Sequence, residues 1–471
     1  MLILMSTFIG LFITLPSFGL IENPLSTEPN SNSYQNNFPY INYPAFLQEI
    51  RRKEMSHMSE NAVYLDYTGA GVYSDYVFNE YTKELKSNFY LKHSLKSNLI
   101  NITNKSNTIR DEILQFVNAN PEEYSVVFVA SATQALKLIG EVFPWDKDSI
   151  YAYSRYNHNS VLGIRRYLLN LKGQFQSVNW PLNLSEIRDI KTQSRNNLFA
   201  FPLEENFAGM KVSKSVLYEI THDEEIRRKF ILLGDAAAFL PTNTLNLTET
   251  PLDAISLSFY KIIGYPNTGA LIIRNDFIEK IRENLKNNIH QLNDNFLEDD
   301  EVPLEMNLAI PYGLRFLNQL DMKNVNKHVW TLTKRLYKGI DELCHSTGEK
   351  VAKIYGNHVK DDPDIQGGIV AFNLRRLNGS FFGYSTVVSD ASESGIHLRG
   401  GCHCNPGACF ESMGISESKV RQYYDNKESC GDKLDVVDGI PLGAVRASLG
   451  WASTEEDIDT FIQWIKDNYV F

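Results

Sequence analysis

Hydrophobic positions along the chain fall into short apolar runs that alternate with stretches of helical spacing. "YSVVFVA" (124–130) is a compact apolar run, and "TQALKLIGEVF" (133–143) follows it with helical apolar spacing. "SIYAYS" leads into "NHNSVLGIRRYLLNL", and "NLFAFPL", "KFILLGD" and "AISLSFY" are further short runs. This alternation predicts an α/β fold, a mostly parallel sheet covered by helices. The stretch from Phe277 to about Pro303 reads as helical and then as an acidic loop, "NDNFLEDDEVP". A long helical region (about 311–345) and two strand signals, "GGIVAFNL" and "AVRASL", come next. In the last element, "STEEDIDTFIQWIKDNY", Ser453 and Glu456 form a capping box, and Ile458, Phe461, Ile462 and Ile465 share one apolar face. The pattern predicts a large α/β domain over 41–310, its first segment near the small domain, and a smaller α+β domain over 311–471.

The ends and the charge narrow the classes. Residues 1–20 are apolar and uncharged, as in a signal-peptide core or a membrane anchor, with Ser17 and Gly19 as small residues near a cleavage point. A positive flank is missing, because no Lys or Arg precedes Arg51. Residues 21–40, rich in Asn, Ser and Pro, read as a disordered linker, so 1–40 is leader and linker. Sequons at Asn101, Asn104, Asn183, Asn246 and Asn378 fit secretion, but an Asn-rich chain produces such triplets by chance. The 46 basic and 57 acidic residues give a net charge of −11, which argues against a general nucleic-acid binder. Five cysteines in 471 residues are too few for a disulfide scaffold.

The candidate chemistry sits where the apolar runs end. "ILLGDAAAF" ends a β run in Asp235, and "AISLSFYK" ends another in Ser258 and Lys261. The carboxyl ends of parallel strands are where open α/β sheets bind ligands. A lysine amine attacks carbonyls and an acid holds a protonated pyridine nitrogen, the two groups that pyridoxal phosphate (PLP) demands of a protein. Taken singly, a solvated lysine and a helix-capping acid are the commoner readings. Ser131, Ala132 and Thr133 open a helix after a strand and would offer backbone N–H groups to a phosphate. His158 follows the next strand, and Asn206 follows "LFAFPL". Three cysteines, Cys402, Cys404 and Cys409, crowd into "LRGGCHCNPGACF". Cys402, His403, Cys404 and Cys409 make a poor zinc site, since paired C-x2-C ligands are absent, so no metal is expected. A disulfide between two of the three suits an exported chain.

Together these stretches resemble class V, fold-type I PLP enzymes, and among them the cysteine desulfurase-like domain of molybdenum cofactor sulfurases. The resemblance runs from "YLDYTGAG" (64–71) to the C-terminus through "FVASATQALKLIGEVFPW", "YNHNSVLGIR", "GDAAAF", "SFYKIIGYP", "LRGGCHCNPGAC" and "GAVRASLGWAST". It implies Lys261 as the Schiff-base lysine, Asp235 as partner of the pyridine nitrogen and His158 stacked on the ring. It also implies Asn206 near the ring hydroxyl, and Ala132, Thr133 and Ser258 as phosphate ligands. Arg446 matches the arginine that grips the substrate carboxylate, for which a planar fork is suited. Arg399 belongs to the same pattern as a second substrate-binding arginine; a surface ion pair is the alternative for both, and it weighs more for Arg399 than for Arg446. In related desulfurases Arg-x-Gly-x-x-Cys presents the nucleophile, and Arg399, Gly401 and Cys404 fit that spacing. Cys404 would then take sulfur from L-cysteine as a persulfide and release alanine, with its thiolate favoured by nearby positive charge. The resemblance further implies a homodimer, and molybdenum cofactor or a protein carrying it as acceptor; eukaryotic members of that family usually continue into a second domain that holds the cofactor, a departure of this sequence from their pattern. Ser131 stands where the family commonly has Gly, "RGG" replaces "RTG", and "GYPNTGA" is one residue short near a phosphate contact of the dimer partner. A cytoplasmic location is expected, because this chemistry needs reduced thiols. The alternatives are another PLP reaction, transamination or β-lyase chemistry with Cys404 incidental, and a non-catalytic relative that binds or scaffolds.

Overall fold

The structure is a computed structural model, and it describes residues 43–59, 61–88, 96–169, 171–286, 296–298, 304–425 and 435–471. The expected leader and linker, most of the acidic loop and Cys430 lie outside those residues. Seven strands build the larger sheet: β1 (Tyr124–Val129), β2 (Ile150–Ser154), β3 (Gln174–Val178), β4 (Leu198–Pro202), β5 (Ile231–Asp235), β6 (Ala254–Ser258) and β7 (Gly269–Arg274). Their order is β1-β7-β6-β5-β4-β2-β3. β6, β5, β4, β2 and β3 pair in parallel, whereas β7 runs antiparallel to both β1 and β6. The carboxyl ends of β1 and β6 therefore share one edge with those of β2, β4 and β5. β2, β4 and β6 are buried along their whole length, which is why they read as unbroken apolar runs. β3 was not anticipated, because it is an edge strand of sequence "QFQSV" with its first three residues exposed. β7 was not anticipated either; "GALIIR" follows the Gly- and Pro-rich loop after Lys261 without an intervening helix.

Four more strands form a second, antiparallel sheet: β8 (Ala352–Tyr355), β9 (Ile369–Leu374), β10 (Arg399–Gly401) and β11 (Ala444–Ser448), ordered β10-β11-β9-β8. Val63–Tyr64 pairs in parallel with Ile396–His397, so the segment "YLDYTGAG" runs beside this second sheet. The helical region expected over 311–345 is two helices, Ala309–Leu320 and Met322–Asp341. Asp321 breaks it with φ +60°, and its side chain accepts from the Lys323 N–H to cap the second helix. The C-terminal helix, Glu455–Tyr469, corrects the expected capping box by one residue. Thr454 is the N-cap and Asp457 its reciprocal partner, whereas Glu456 is exposed. Ile458, Phe461, Ile462 and Ile465 are buried, as the apolar stripe requires.

Candidate active site

Every segment singled out at a strand end arrives at one small cavity on the carboxyl edge of the larger sheet. Thr133, His158, Asn206, Asp235 and Lys261 line it, and Glu204 joins them. Ser131 caps the 11-residue helix Ala132–Val142, its hydroxyl accepting from the Gln134 N–H, so the helix N-terminus opens at the cavity. Its free N–H groups and positive dipole end favour an anion there. Thr133 Oγ1 lies 2.8 Å from Ser160 Oγ. Ser258 Oγ is buried with no hydrogen-bond partner among the described residues. A buried hydroxyl left unpaired is costly unless a ligand completes it.

Lys261 lies half-buried on the short helix that follows β6, and Asp235, which ends β5, lines the same cavity. Burial pulls the Lys261 amine down to about 8, against the pull of Asp235; Arg446 and Arg399 lower it further. The turn carrying Lys261 is seated by the N-terminal segment. Gly71 N–H donates to the Tyr260 carbonyl (2.8 Å). Gly264, at φ +77°, lies so close to Tyr73 that any Cβ there would sit 2.1 Å from the Tyr73 nitrogen. Asp235 Oδ1 accepts from Ser256 Oγ (2.9 Å) and the Ala237 N–H (3.1 Å), which fixes the carboxylate. His158 Nδ1 accepts from the Ser160 N–H (3.1 Å), so the ring proton sits on Nε2. Burial holds His158 below its ordinary range, opposed by Asp235 and assisted by Lys261 and Arg446. An amine, a fixed carboxylate, a neutral imidazole and an anion-binding helix end together suit a phosphorylated aldehyde with a basic ring nitrogen.

The cysteine loop packs against the same edge. Asn206 Nδ2 donates to the His403 carbonyl (2.6 Å), the Asn159 N–H donates to the Cys404 carbonyl (2.6 Å), and Asn405 Nδ2 donates to Glu205 (3.1 Å). His403 and Cys404 both have positive φ, +53° and +57°. Cys402 and Cys409 are joined in a disulfide, whereas Cys404 is free and exposed, and does not line the cavity. Among the described residues no group of three His, Cys, Asp or Glu side chains is placed to hold a metal.

Arg446 and Arg399 stand opposite one another across β10 and β11. Arg399, expected as a substrate-binding residue with a surface ion pair as the alternative, is half-exposed and pairs with Asp66, and that carboxylate also holds the fully buried Arg446. Sequence reasoning missed Asp66 and Glu204. Burial pushes the Glu204 carboxyl up to about 8, and burial lowers the amine of nearby Lys211. A strand-end acid in "PLEEN" was visible, but nothing in its spacing separates it from the structural Glu205, which accepts three backbone N–H groups.

The family profile described as aminotransferase class-V matches residues 63–461. The chain belongs to the class-V aminotransferase family. It is 32% identical to a molybdenum cofactor sulfurase of Oryza sativa subsp. japonica over 95% of this chain and 60% of that protein. It is 33% identical to that of Arabidopsis thaliana (92% and 59%) and 31% identical to that of Homo sapiens (90% and 51%). The chain thus spans between half and three fifths of the length of these curated relatives. Among solved structures, the apo cysteine desulfurase of Thermococcus onnurineus NA1 superposes with a TM-score of 0.70 at 17% identity, covering 90% of this chain and 98% of that one. A cystine C-S lyase in complex with cysteine persulfide superposes with 0.64 at 12% identity, covering 88% and 99%. These likenesses establish the fold, and the fold alone.

Proposed function

We propose that the chain is a PLP-dependent L-cysteine desulfurase that loads sulfur onto Cys404 for the sulfuration of molybdenum cofactor. The observation that carries this reading is the meeting of Lys261, Asp235, His158 and the 131–133 helix end in one cavity, with the free Cys404 on a loop bonded to its rim. PLP would supply an aldehyde that captures the substrate amine and a ring that draws electrons from the substrate carbons. The 131–133 backbone, Thr133 and Ser258 would hold its phosphate, and Asp235 its ring nitrogen. Lys261, a buried amine that is readily deprotonated, would attach it and move protons at the substrate. Arg446 and Arg399 would hold the substrate carboxylate.

The Cys404 thiolate would attack the substrate sulfur. An S–S bond forms and the S–Cβ bond breaks; its electron pair stays on the carbon, and a proton completes alanine. Thiol plus cysteine thus becomes persulfide plus alanine, with no external oxidant. Cys404 stands outside the cavity in this structure, so the loop must swing inward for this step. The relatives' name, molybdenum cofactor sulfurase, is the ground for the acceptor; the homodimer rests on the resemblance to fold-type I PLP enzymes, and the cytoplasmic location on chemistry that needs reduced thiols. One observation favours a second reading: because Cys404 does not line the cavity, β-lyase chemistry would need no thiol at all. The test is Cys404→Ser with bound PLP. Alanine release and the 32-dalton sulfur adduct should both vanish, while L-cysteine still perturbs the cofactor spectrum. Alanine formed at the wild-type rate refutes the desulfurase reading, and pyruvate formed instead supports the lyase.

A further inference from the structure

Two arginines placed directly opposite on neighbouring strands repel unless an anion joins them. Arg399 and Arg446 are such a cross-strand pair, and the anion is Asp66. Its Oδ2 accepts from Arg399 Nε (2.9 Å) and Nη2 (2.7 Å), and its Oδ1 from Arg446 Nη2 (3.1 Å). Asp66 is brought there by its own segment: Thr68 N–H donates to Ser448 Oγ (3.0 Å) two residues beyond Arg446, and Gly71 is tied to the Lys261 turn. The fit is tight. A Cβ on Gly69 would lie 2.4 Å from Asp66 Oδ2 and 2.5 Å from Arg399 Nη2.

Two guanidinium groups and the Asp66 carboxylate leave a net positive charge within the trio, with the buried Glu205 also acting on Arg446. Arg446 Nη1 donates to the Asn206 carbonyl (2.8 Å), and its Nε is buried with no partner among the described residues. The unit therefore retains the charge and a buried N–H for one more carboxylate. It lies close enough to the Lys261 amine for all three side chains to act on its proton affinity. We propose that Asp66 is a positioning residue: it locks Arg399 and Arg446 into one anion-recognising unit, and so sets the preference for an α-amino acid over the amine lacking the carboxylate. This rests on reading the cavity as an amino-acid site. Without Asp66 the two cations separate, and the half-exposed Arg399 is free to turn into water.

The test uses the full chain reconstituted with PLP, in a Cys404→Ser background that stops turnover. The shift of the cofactor absorbance is titrated with L-cysteine and with cysteamine, its decarboxylated counterpart. Asp66→Asn should raise the half-saturating L-cysteine concentration roughly ten-fold or more, and leave that of cysteamine within about two-fold. Gly69→Ala, which crowds the pair without removing its charge, should reproduce the selective loss. Unchanged or tighter L-cysteine binding in Asp66→Asn overturns the proposal, since Asp66 would then be a bystander or a competitor. Equal weakening of both ligands also overturns it, as general damage to the site. A parent protein whose spectrum ignores L-cysteine sinks the desulfurase reading itself, and this proposal with it.

Discussion

Lys261 carries the chemistry most exposed to measurement. An ordinary lysine is protonated up to about pH 10, whereas burial brings this amine to about 8. Only the free amine attacks an aldehyde. The rate at which the cofactor-free chain captures PLP should therefore rise with pH, inflect near 8 and level off above it. Stopped-flow absorbance reads this directly, and a rate that climbs steadily beyond pH 10 would mean that Lys261 is not the buried nucleophile. The lysine was legible in the sequence because a β run, an acid and a second β run precede it in order. Asp66 was not. It belongs to a quoted motif, yet its role depends on Arg399 and Arg446, more than 330 residues away in sequence, and no local period records such a contact. Glu204 was hidden differently. Its side chain looks like any strand-end acid, and only burial against the cavity distinguishes it.

Among the elements, the sequence pattern named most of the buried strands, but it missed the exposed edge β3 and also the buried β7, which follows a Gly- and Pro-rich loop. β2, β4, β5 and β6 are buried almost throughout and were anticipated, whereas the exposed edge β3 was not. The start of the C-terminal helix was misplaced by one residue because "STEEDID" holds two overlapping box signatures, Ser453 with Glu456 and Thr454 with Asp457. Geometry chose the second: Thr454 Oγ1 accepts from the Asp457 N–H (3.1 Å), and Asp457 Oδ2 accepts from the Thr454 N–H (2.8 Å). Thr454→Ala should therefore cost about 1 kcal/mol of unfolding free energy, and Glu456→Ala close to nothing. Chemical denaturation of the two variants separates the frames; equal losses would restore the first. The cysteine loop invites a parallel test. Asn405 caps the helix Pro406–Met413 through the Ala408 N–H and also bonds buried Glu205. Asn405→Ala should remove about 1–3 kcal/mol and speed alkylation of Cys404, read on its peptide by mass spectrometry. Stability lost with no change in Cys404 reactivity would show that the loop is held by other contacts.

At the scale of the whole molecule, the cavity gathers residues from 131–133, 158, 206, 235 and 260–261. A ligand spanning them ties distant parts of the chain into one cooperative unit. Anything that binds the folded form alone stabilises it by mass action, by about 2.7 kcal/mol at a hundred-fold excess over Kd. PLP should accordingly raise the Tm of the cofactor-free chain, with the increment growing with the logarithm of its concentration. Pyridoxal, which lacks the phosphate, should raise it less, because the helix end at 131–133 and the unpaired Ser258 hydroxyl find no anion. Lys261→Ala should keep part of the PLP increment, since the phosphate and ring contacts do not pass through the lysine. Calorimetry with the two ligands and the two proteins gives four increments. Equal increments for PLP and pyridoxal would remove the 131–133 helix end from the site, while an increment lost completely in Lys261→Ala would reduce the other contacts to bystanders.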